Sequence, residues 1–439
     1  VPERIDALIH PRWTLAVEPR VEAAEGMSVA LDKGRILAVL PTADARRRFS
    51  PDVSHERPAH VLMPGLINAH CHAGMTLLRG YADDLPLEAW LTERIWPAEA
   101  RLVTPEFVAD GTRLAAAEML LGGTTCFSDM YYFPDVVAEV ARESGLRAVV
   151  GMIALEFPTP WARDVDEYIA KGLEVHDRYR ADALITTTFA PHAPYSTSDG
   201  TLARIRRLAD ELDVPIHTHV HETAAEIEEA VAATGQRPLE RLERLGLVTP
   251  ALVGVHATEL KPREIEKLAQ ARANIVHCPR SNMKLASGAC PVAALLEAGI
   301  NVALGTDGAA SNNRLDMWSE MQLAALLGKH VARTATAVPA ATALQMATIN
   351  AARALNLDAE TGSLAPGKAA DAICVELSGP GQVPMLNVIS QLVYSASRDL
   401  VTDVWVAGQH LVADRALTRV DMDALERSAR SWAERIMSA

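Results

Sequence analysis

Two histidines one residue apart, His70 and His72, close an apolar run over 61–67. Alternate residues of a strand share a face, so both imidazoles can chelate one ion as neutral ligands. Four further runs end on comparable side chains: His192, then His219, His221 and Glu222 together, then His256, and finally Asp307. A third imidazole and a carboxylate added to the first pair give a borderline-to-hard donor set. It suits Zn²⁺ or Fe²⁺ and leaves a position for water. One histidine on a strand is usually a satisfied core residue, so the joint placement carries the argument for a site. A divalent ion in such a set lowers the pKa of bound water from about 15.7 toward about 7, making a nucleophile at neutral pH without strong base.

Other chemistries fail on their spacing. His221-Glu222-Thr223-Ala224-Ala225 begins like the metalloprotease H-E-x-x-H, but Ala225 stands where the second histidine belongs. Gly362 to Lys368 has the spacing of a phosphate loop. Ala369 then replaces the Mg²⁺-binding hydroxyl and Pro366 removes a cradle N–H, so the segment reads as a turn. There is no G-x-S-x-G elbow and no H-x-E paired with P-C-x-x-C.

The elements that must position these residues follow from the apolar pattern. Short apolar runs at 61–67, 124–130, 148–154, 184–189, 214–218, 252–255, 274–276 and 301–304 alternate with longer helical stretches, among them 102–121, 134–144, 201–212 and 224–233. Eight parallel strands wrapped by helices close into a barrel, with the helix 342–357 completing the set. Barrel enzymes build their sites at the C-terminal strand ends, where the histidines and carboxylates fall. The first sixty or so residues instead read as short antiparallel strands at 6–9, 14–17, 27–31 and 35–40, with a turn at Asp32-Lys33-Gly34. Segments 372–375 and 403–406 are again strand-like, so the two chain ends are expected to meet in one small sheet.

Composition narrows the function classes. With 42 basic against 56 acidic residues, a net charge of −14 and no Lys/Arg run, phosphate backbones and anionic membranes are poor partners. Five cysteines without C-x-x-C spacing read as reduced, buried thiols, which places the protein in the cytoplasm. No signal-peptide pattern opens the chain, and no run reaches the eighteen or so apolar residues of a membrane span.

Four motifs together carry a resemblance. They are Met63-Pro64-Gly65-Leu66-Ile67-Asn68-Ala69-His70-Cys71-His72, Thr218-His219-Val220-His221-Glu222-Thr223, Gly254-Val255-His256, and Leu304-Gly305-Thr306-Asp307-Gly308-Ala309-Ala310-Ser311-Asn312. In that order they resemble the amidohydrolase superfamily, and within it the 5′-methylthioadenosine/S-adenosylhomocysteine deaminases and their chlorohydrolase relatives. The likeness runs nearly end to end. It implies a (β/α)₈ TIM barrel of the metal-dependent hydrolase type over 63–365, with a small composite β-sandwich from 1–62 and 366–439.

The resemblance also implies roles. One divalent metal, Zn²⁺ with Fe²⁺ or Mn²⁺ as alternatives, would be held by His70, His72, His219 and Asp307. The fourth run ends Phe189-Ala190-Pro191-His192 with no lysine to bridge a second ion, so one metal is expected. Hydroxide would attack C6 of a 6-aminopurine nucleoside while Glu222, the general acid/base, protonates ring N1. Asp307 would take the hydroxide proton, and His256 would contact the attacking or departing group. Trp90, Glu99 and His192 would contact the nucleoside; for His221, packing and catalysis stay open. Around 155–161 the sequence is apolar and aromatic with only Arg163 nearby, which favours 5′-methylthioadenosine over S-adenosylhomocysteine or adenosine. Rival readings are a guanine, 8-oxoguanine or pterin deaminase, a triazine chlorohydrolase, or a barrel without catalysis. The resemblance implies a homodimer or homotetramer.

Overall fold

The structure, a computed structural model, describes residues 2–438. Strands β1 (Glu3–Leu15), β2 (Ala23–Glu25), β3 (Met27–Asp32) and β4 (Arg35–Pro41) are followed by a short helix, Thr42–Arg48, and by β5 (Phe49–Pro64). The expected strands 6–9 and 14–17 are a single strand, β1, which ends at Leu15. The first half of β5 was not anticipated, because Ser50, Pro51, Asp52, Ser54, Glu56 and Pro58 carry almost no apolar signal. Parallel pairing with β1, from Glu3 opposite Phe49 to Thr14 opposite Leu62, holds it in place. The terminal sheet is therefore mixed, not purely antiparallel as expected.

Gly65 ends this sheet and starts the barrel. The expected strand 61–67 is two: β5 runs to Pro64, and β6 (Leu66–Cys71) begins the second sheet. A Cβ at position 65 would lie 2.0 Å from Thr125 Oγ1, so only glycine allows this close passage. The barrel continues through β7 (Thr124–Asp129), β8 (Arg147–Ala154), β9 (Ile185–Pro191), β10 (Ile216–Val220), β11 (Leu252–His256), β12 (Asn274–His277) and β13 (Asn301–Leu304). Each strand pairs in parallel with the next along the chain. Side chains close the seam between β13 and β6. Asn68 donates to Thr306 Oγ1 at 2.7 Å and accepts from the Thr306 amide at 2.9 Å. The Asp307 amide donates to the His70 carbonyl at 3.0 Å, which sets two prospective ligands from the first and last strands side by side.

One expected helix starts later than read and another is broken. The helix expected over 102–121 is Pro105–Leu121, preceded by a separate helix Trp96–Leu102; Thr104 caps it by accepting from the Phe107 amide, and Pro105 fits only a first helical turn. In place of 342–357 stand Ala340–Met346 and Ile349–Ala354, separated at Thr348, whose φ of −135° and ψ of −99° lie outside the helical region.

Strands β14 (Ala372–Glu376), β15 (Val401–Val406), β16 (Gln409–Ala413) and β17 (Ala416–Leu417) join the terminal sheet in the order β17-β16-β15-β14-β5-β1-β3-β4. The sheet curls until Gly34 approaches the Ala407-Gly408 turn so closely that a Cβ on Gly34 would meet the Ala407 carbonyl at 2.8 Å. Ile9, Val29 and Ile36 from one half then share a core with Ala372, Cys374 and Trp405 from the other. The C-terminal segment is not all sheet. Its last helix, Met422–Ser438, lies on the barrel helix Pro105–Leu121, with Trp432 edge-on to Phe107 at 5.2 Å and its indole N–H donating to Asp110 at 2.8 Å. Among the described residues no helix is long and apolar enough to cross a membrane, and all five cysteines are buried and free.

A buried ion pair ties the terminal sheet to the barrel. Arg147 on β8 forks onto Asp371, which also accepts the Ala407 amide at 2.7 Å. Asp371→Ala leaves the guanidinium uncompensated in a site where both side chains are almost fully buried, so a stability loss of about 3–5 kcal/mol is expected. Thermal melting checks this; a variant that melts with the wild type contradicts it.

Candidate metal centre and active site

The strand ends deliver the side chains. His70 lies within β6 and His72 one residue beyond it, His219 is on β10, His256 ends β11, and Asp307 follows β13. His221, His256 and Asp307 all have left-handed backbones, with φ of 51°, 73° and 61°. Each such residue costs about 1–3 kcal/mol, strain that the surrounding fold must offset. At His221 the left-handed turn breaks the strand's alternation. Its side chain packs behind the site, where Nε2 accepts the Leu239 amide at 3.1 Å.

Three imidazoles converge. His70, His72 and His219 each offer a ring nitrogen, all within 4.8 Å of one another. Asp307 Oδ1 lies 3.1 Å from His72 Nε2 and 3.5 Å from His70 Nε2, and the Nε2 atoms of His70 and His219 are 3.3 Å apart. The hydrogen bonds behind these rings choose the nitrogen that faces inward. His72 Nδ1 donates to the Met130 carbonyl, and His219 Nδ1 donates to the His192 carbonyl at 2.7 Å. A carbonyl can only accept, so both rings carry the proton on Nδ1 and present the Nε2 lone pair. Asp307 is held as firmly: Oδ2 accepts from Ser281 at 2.6 Å and Ser311 at 2.8 Å, and Oδ1 accepts the Gly308 amide. These donors fit a single divalent cation of N/O preference.

Burial keeps His70, His192 and His219 neutral. It pulls His70 down to about 4 and His192 to about 3, and takes His219 well below its ordinary range. His72 departs from this pattern. Burial again lowers it, but the adjacent Asp307 carboxylate outweighs burial and raises it to about 9; a cation between the same atoms displaces that proton.

Above the centre lies a pocket lined by His72, His219, Asp307, Glu222 and His256, and by Trp90, Glu99 and His192. His70 is fully buried behind its floor. Glu222 Oε2 lies 3.8 Å from His256 Nε2, and burial pushes its carboxyl pKa up. His256 Nδ1 is bound to Asn282 Oδ1 at 2.7 Å, which turns Nε2 to the cavity. Trp90 donates its indole N–H to the Ala82 carbonyl and opens a π-helical turn, Trp90–Ile95. Glu99 accepts from Tyr131 at 2.7 Å and Tyr132 at 3.5 Å; burial outweighs these donors and pushes it up to about 7. His192 Nδ1 bonds Ser196 Oγ at 3.0 Å.

One expectation is corrected. Of the wall sought around 155–161, no residue reaches this cavity; β8 contributes only Ile153. Phe157 to Pro160 border a neighbouring cavity of about 630 Å³ beyond Trp96, Glu99 and Tyr132. The exposed Arg163 pairs with Glu167 at 2.8 Å instead of facing a ligand. The apolar walls come from Leu87, Leu91, Trp96, Met75 and Leu285. The sequence reading also missed His217, Tyr131, Tyr132, Ser281, Asn282 and Ser311. Two of them left a signal there: His217 as the first histidine of His-x-His-x-His, and Ser311 as a member of the motif that holds Asp307.

An eight-stranded parallel barrel with three imidazoles and a carboxylate at its strand ends defines a metal-dependent hydrolase scaffold. Residues 61–411 match the model of the amidohydrolase family. The chain is 48% identical over 432 residues to a 5-methylthioadenosine/S-adenosylhomocysteine deaminase of Teredinibacter turnerae, covering 98% of each protein. It superposes on the crystal structure of an adenosine deaminase from Xanthomonas campestris with bound zinc with a TM-score of 0.99, at 53% identity over the whole of both chains. Atrazine chlorohydrolase of Arthrobacter aurescens shares the fold with a TM-score of 0.91 at 22% identity, covering 97% of this chain and 100% of that one. The chain belongs to the amidohydrolase family, among the 5-methylthioadenosine/S-adenosylhomocysteine deaminases.

Proposed function

We propose that the protein hydrolytically deaminates a 6-aminopurine nucleoside, by preference 5′-methylthioadenosine, to the 6-oxopurine and ammonia. The observation that carries this reading is that Glu222 and His256 face the same cavity as His72, His219 and Asp307. One divalent ion held by His70, His72, His219 and Asp307 supplies Lewis acidity and lowers the pKa of a water. Zinc is favoured because the Xanthomonas structure contains it, although Fe²⁺ and Mn²⁺ satisfy the same donors.

Each remaining role falls to a residue of this chain. Asp307, fixed by Ser281 and Ser311, takes a proton from the attacking water. Glu222, its proton retained by burial, protonates ring N1; the proton taken up by Asp307 then goes to the departing amine as the C6–N bond breaks, and the C6 hydroxyl proton returns to Glu222. His256, held by Asn282, orients the group entering or leaving C6. Trp90 packs on the nucleoside, Glu99 accepts from the ribose diol, and His192 lies beside the sugar.

Among the described residues no lysine or arginine lines the cavity, which supports a neutral methylthio substituent over the charged amino-acid tail of S-adenosylhomocysteine. A panel of aminopurine nucleosides and bases, read by ammonia release, tests the reading. Higher kcat/KM for methylthioadenosine than for S-adenosylhomocysteine and adenosine is expected. The reverse order overturns the substrate assignment, and faster turnover of guanine, 8-oxoguanine, a pterin or a triazine overturns the nucleoside reading.

Glu99 adds a pH signature. An ionised carboxylate is the better acceptor for the diol, and Glu99 gains its proton as pH falls through about 7. KM should therefore rise below that pH with kcat changing less, and Glu99→Gln should raise KM above that pH and flatten its profile. A wild-type KM that is level from pH 6 to 8 removes the diol role from Glu99.

The same reading takes 63–365 as the barrel domain and 1–62 with 366–439 as its companion, supported by the membership of β1–β5 and β14–β17 in one sheet. It includes a cytoplasmic setting, supported by five unpaired thiols, and an assembly of two or four copies, supported by the exposed Val383 and Leu386.

A further inference from the structure

His217 sits on β10 two residues before His219 and is completely buried. It does not border the cavity. Its Nε2 lies 3.0 Å from His70 Nδ1, and the two rings meet edge to face with centroids 4.9 Å apart. On its far side, Nδ1 lies 3.2 Å from the hydroxyl of Ser128 on β7. A polar chain, Ser128 to His217 to His70, thus runs through the barrel interior behind the metal centre.

His70 differs in this from the other two imidazoles. The Nδ1 atoms of His72 and His219 rest on carbonyls, which dictate the tautomer. The partner of His70 is a ring whose nitrogens can each donate or accept, so two arrangements satisfy the chain. In one, His70 Nδ1–H donates to His217 Nε2, and His217 Nδ1–H donates to the Ser128 hydroxyl. In the other, Ser128 donates to His217 Nδ1 and His217 Nε2–H donates to His70 Nδ1, which places the His70 proton on Nε2. Only the first leaves the His70 Nε2 lone pair facing Asp307 and His219.

We propose that His217, backed by Ser128, is the positioning residue that accepts the His70 Nδ1 proton in the metal-binding arrangement and so decides how tightly the protein holds its metal ion. The inference rests on the metal-centre reading above. His217 touches neither substrate nor ion; it acts through His70 alone. A ligand imidazole that loses its hydrogen-bond partner typically loses 10–100-fold in metal affinity, and that is the scale expected here.

The test is chelator competition on zinc-loaded protein, comparing wild type with His217→Phe, His217→Gln and Ser128→Ala. Phenylalanine keeps the ring volume and removes the acceptor, so zinc affinity should fall by about 10–100-fold. Glutamine returns an amide oxygen near the position of Nε2 and should restore affinity to within a few-fold of wild type. Ser128→Ala should weaken zinc by a smaller factor and leave the melting of metal-stripped protein unchanged, which a purely structural role would not do. His217→Phe with wild-type affinity, or His217→Gln as weak as His217→Phe, overturns the proposal. If His217→Phe does not fold, Ser128→Ala decides, and unchanged affinity there overturns it equally. Wild-type protein that takes up no zinc, iron or manganese defeats the metal-centre reading itself, an outcome distinct from a variant that binds as well as wild type.

Discussion

A His219→Ala variant should purify with less than about a tenth of a metal ion per chain and lose activity by about 10⁴-fold or more. His219 supplies one of three clustered ring nitrogens, and its Nδ1–H is already committed to the His192 carbonyl. Its Nε2 lone pair therefore has no competing assignment. Alanine removes that donor and the side-chain bond to the His192 carbonyl, which keeps only the residue-219 amide and the Thr218 hydroxyl, so neither the ion nor the site around it is held as before. Three donors remain, but with one imidazole gone and the site around it loosened they hold a divalent ion too weakly to retain it through purification. Elemental analysis beside steady-state rates checks this directly. Full metal occupancy with wild-type turnover would show that the imidazole belongs to packing alone, and the four-residue centre would have to be abandoned.

Glu222→Gln should separate metal binding from proton transfer. The variant is expected to retain one ion per chain and to lose about 10²–10⁴-fold in kcat, the range for removing a positioned general acid/base. Glutamine matches the carboxyl group in size and can hydrogen-bond a ring nitrogen, but it cannot give up a proton to it. Burial, only partly offset by nearby His256, holds the Glu222 proton to higher pH than an ordinary glutamate would. Loss of the proton-donating form should therefore bound wild-type kcat on the alkaline side. In Glu222→Gln that limb should vanish, because the amide does not titrate. A variant that keeps metal and wild-type kcat would assign acid/base work to another group. The two substitutions therefore differ in kind: His219→Ala abolishes the centre, whereas Glu222→Gln leaves it loaded and slow.

Local pattern made much of the site legible. His70 and His72 stand two apart, Glu222 follows His219 by three, and five of the eight apolar runs close on a side chain able to do chemistry. Strand alternation and apolar periodicity are properties of neighbouring residues, so one sequence displays them. Seven of the eight barrel strands were found for that reason, whereas the first, Leu66–Cys71, was placed too early and the polar, proline-bearing half of β5 was not found. Helix ends at Thr104 and Thr348 were missed because caps and dihedral breaks interrupt an apolar period without erasing it.

By itself the sequence determined which atoms could bind a cation and which carboxylates stood near them. Three histidines at 217, 219 and 221 are alike in type and spacing, yet the fold gives them different places: behind His70, in the centre, and against the Leu239 amide. Tertiary structure alone made that division. A side chain at a strand's end is aimed by its own φ and by partners from remote strands, as when the Asn68–Thr306 seam sets Asp307 beside His70. The same holds for the pocket wall, which Trp90 to Trp96 supply and 155–161 do not, because a cavity is bounded by whatever loops meet over it.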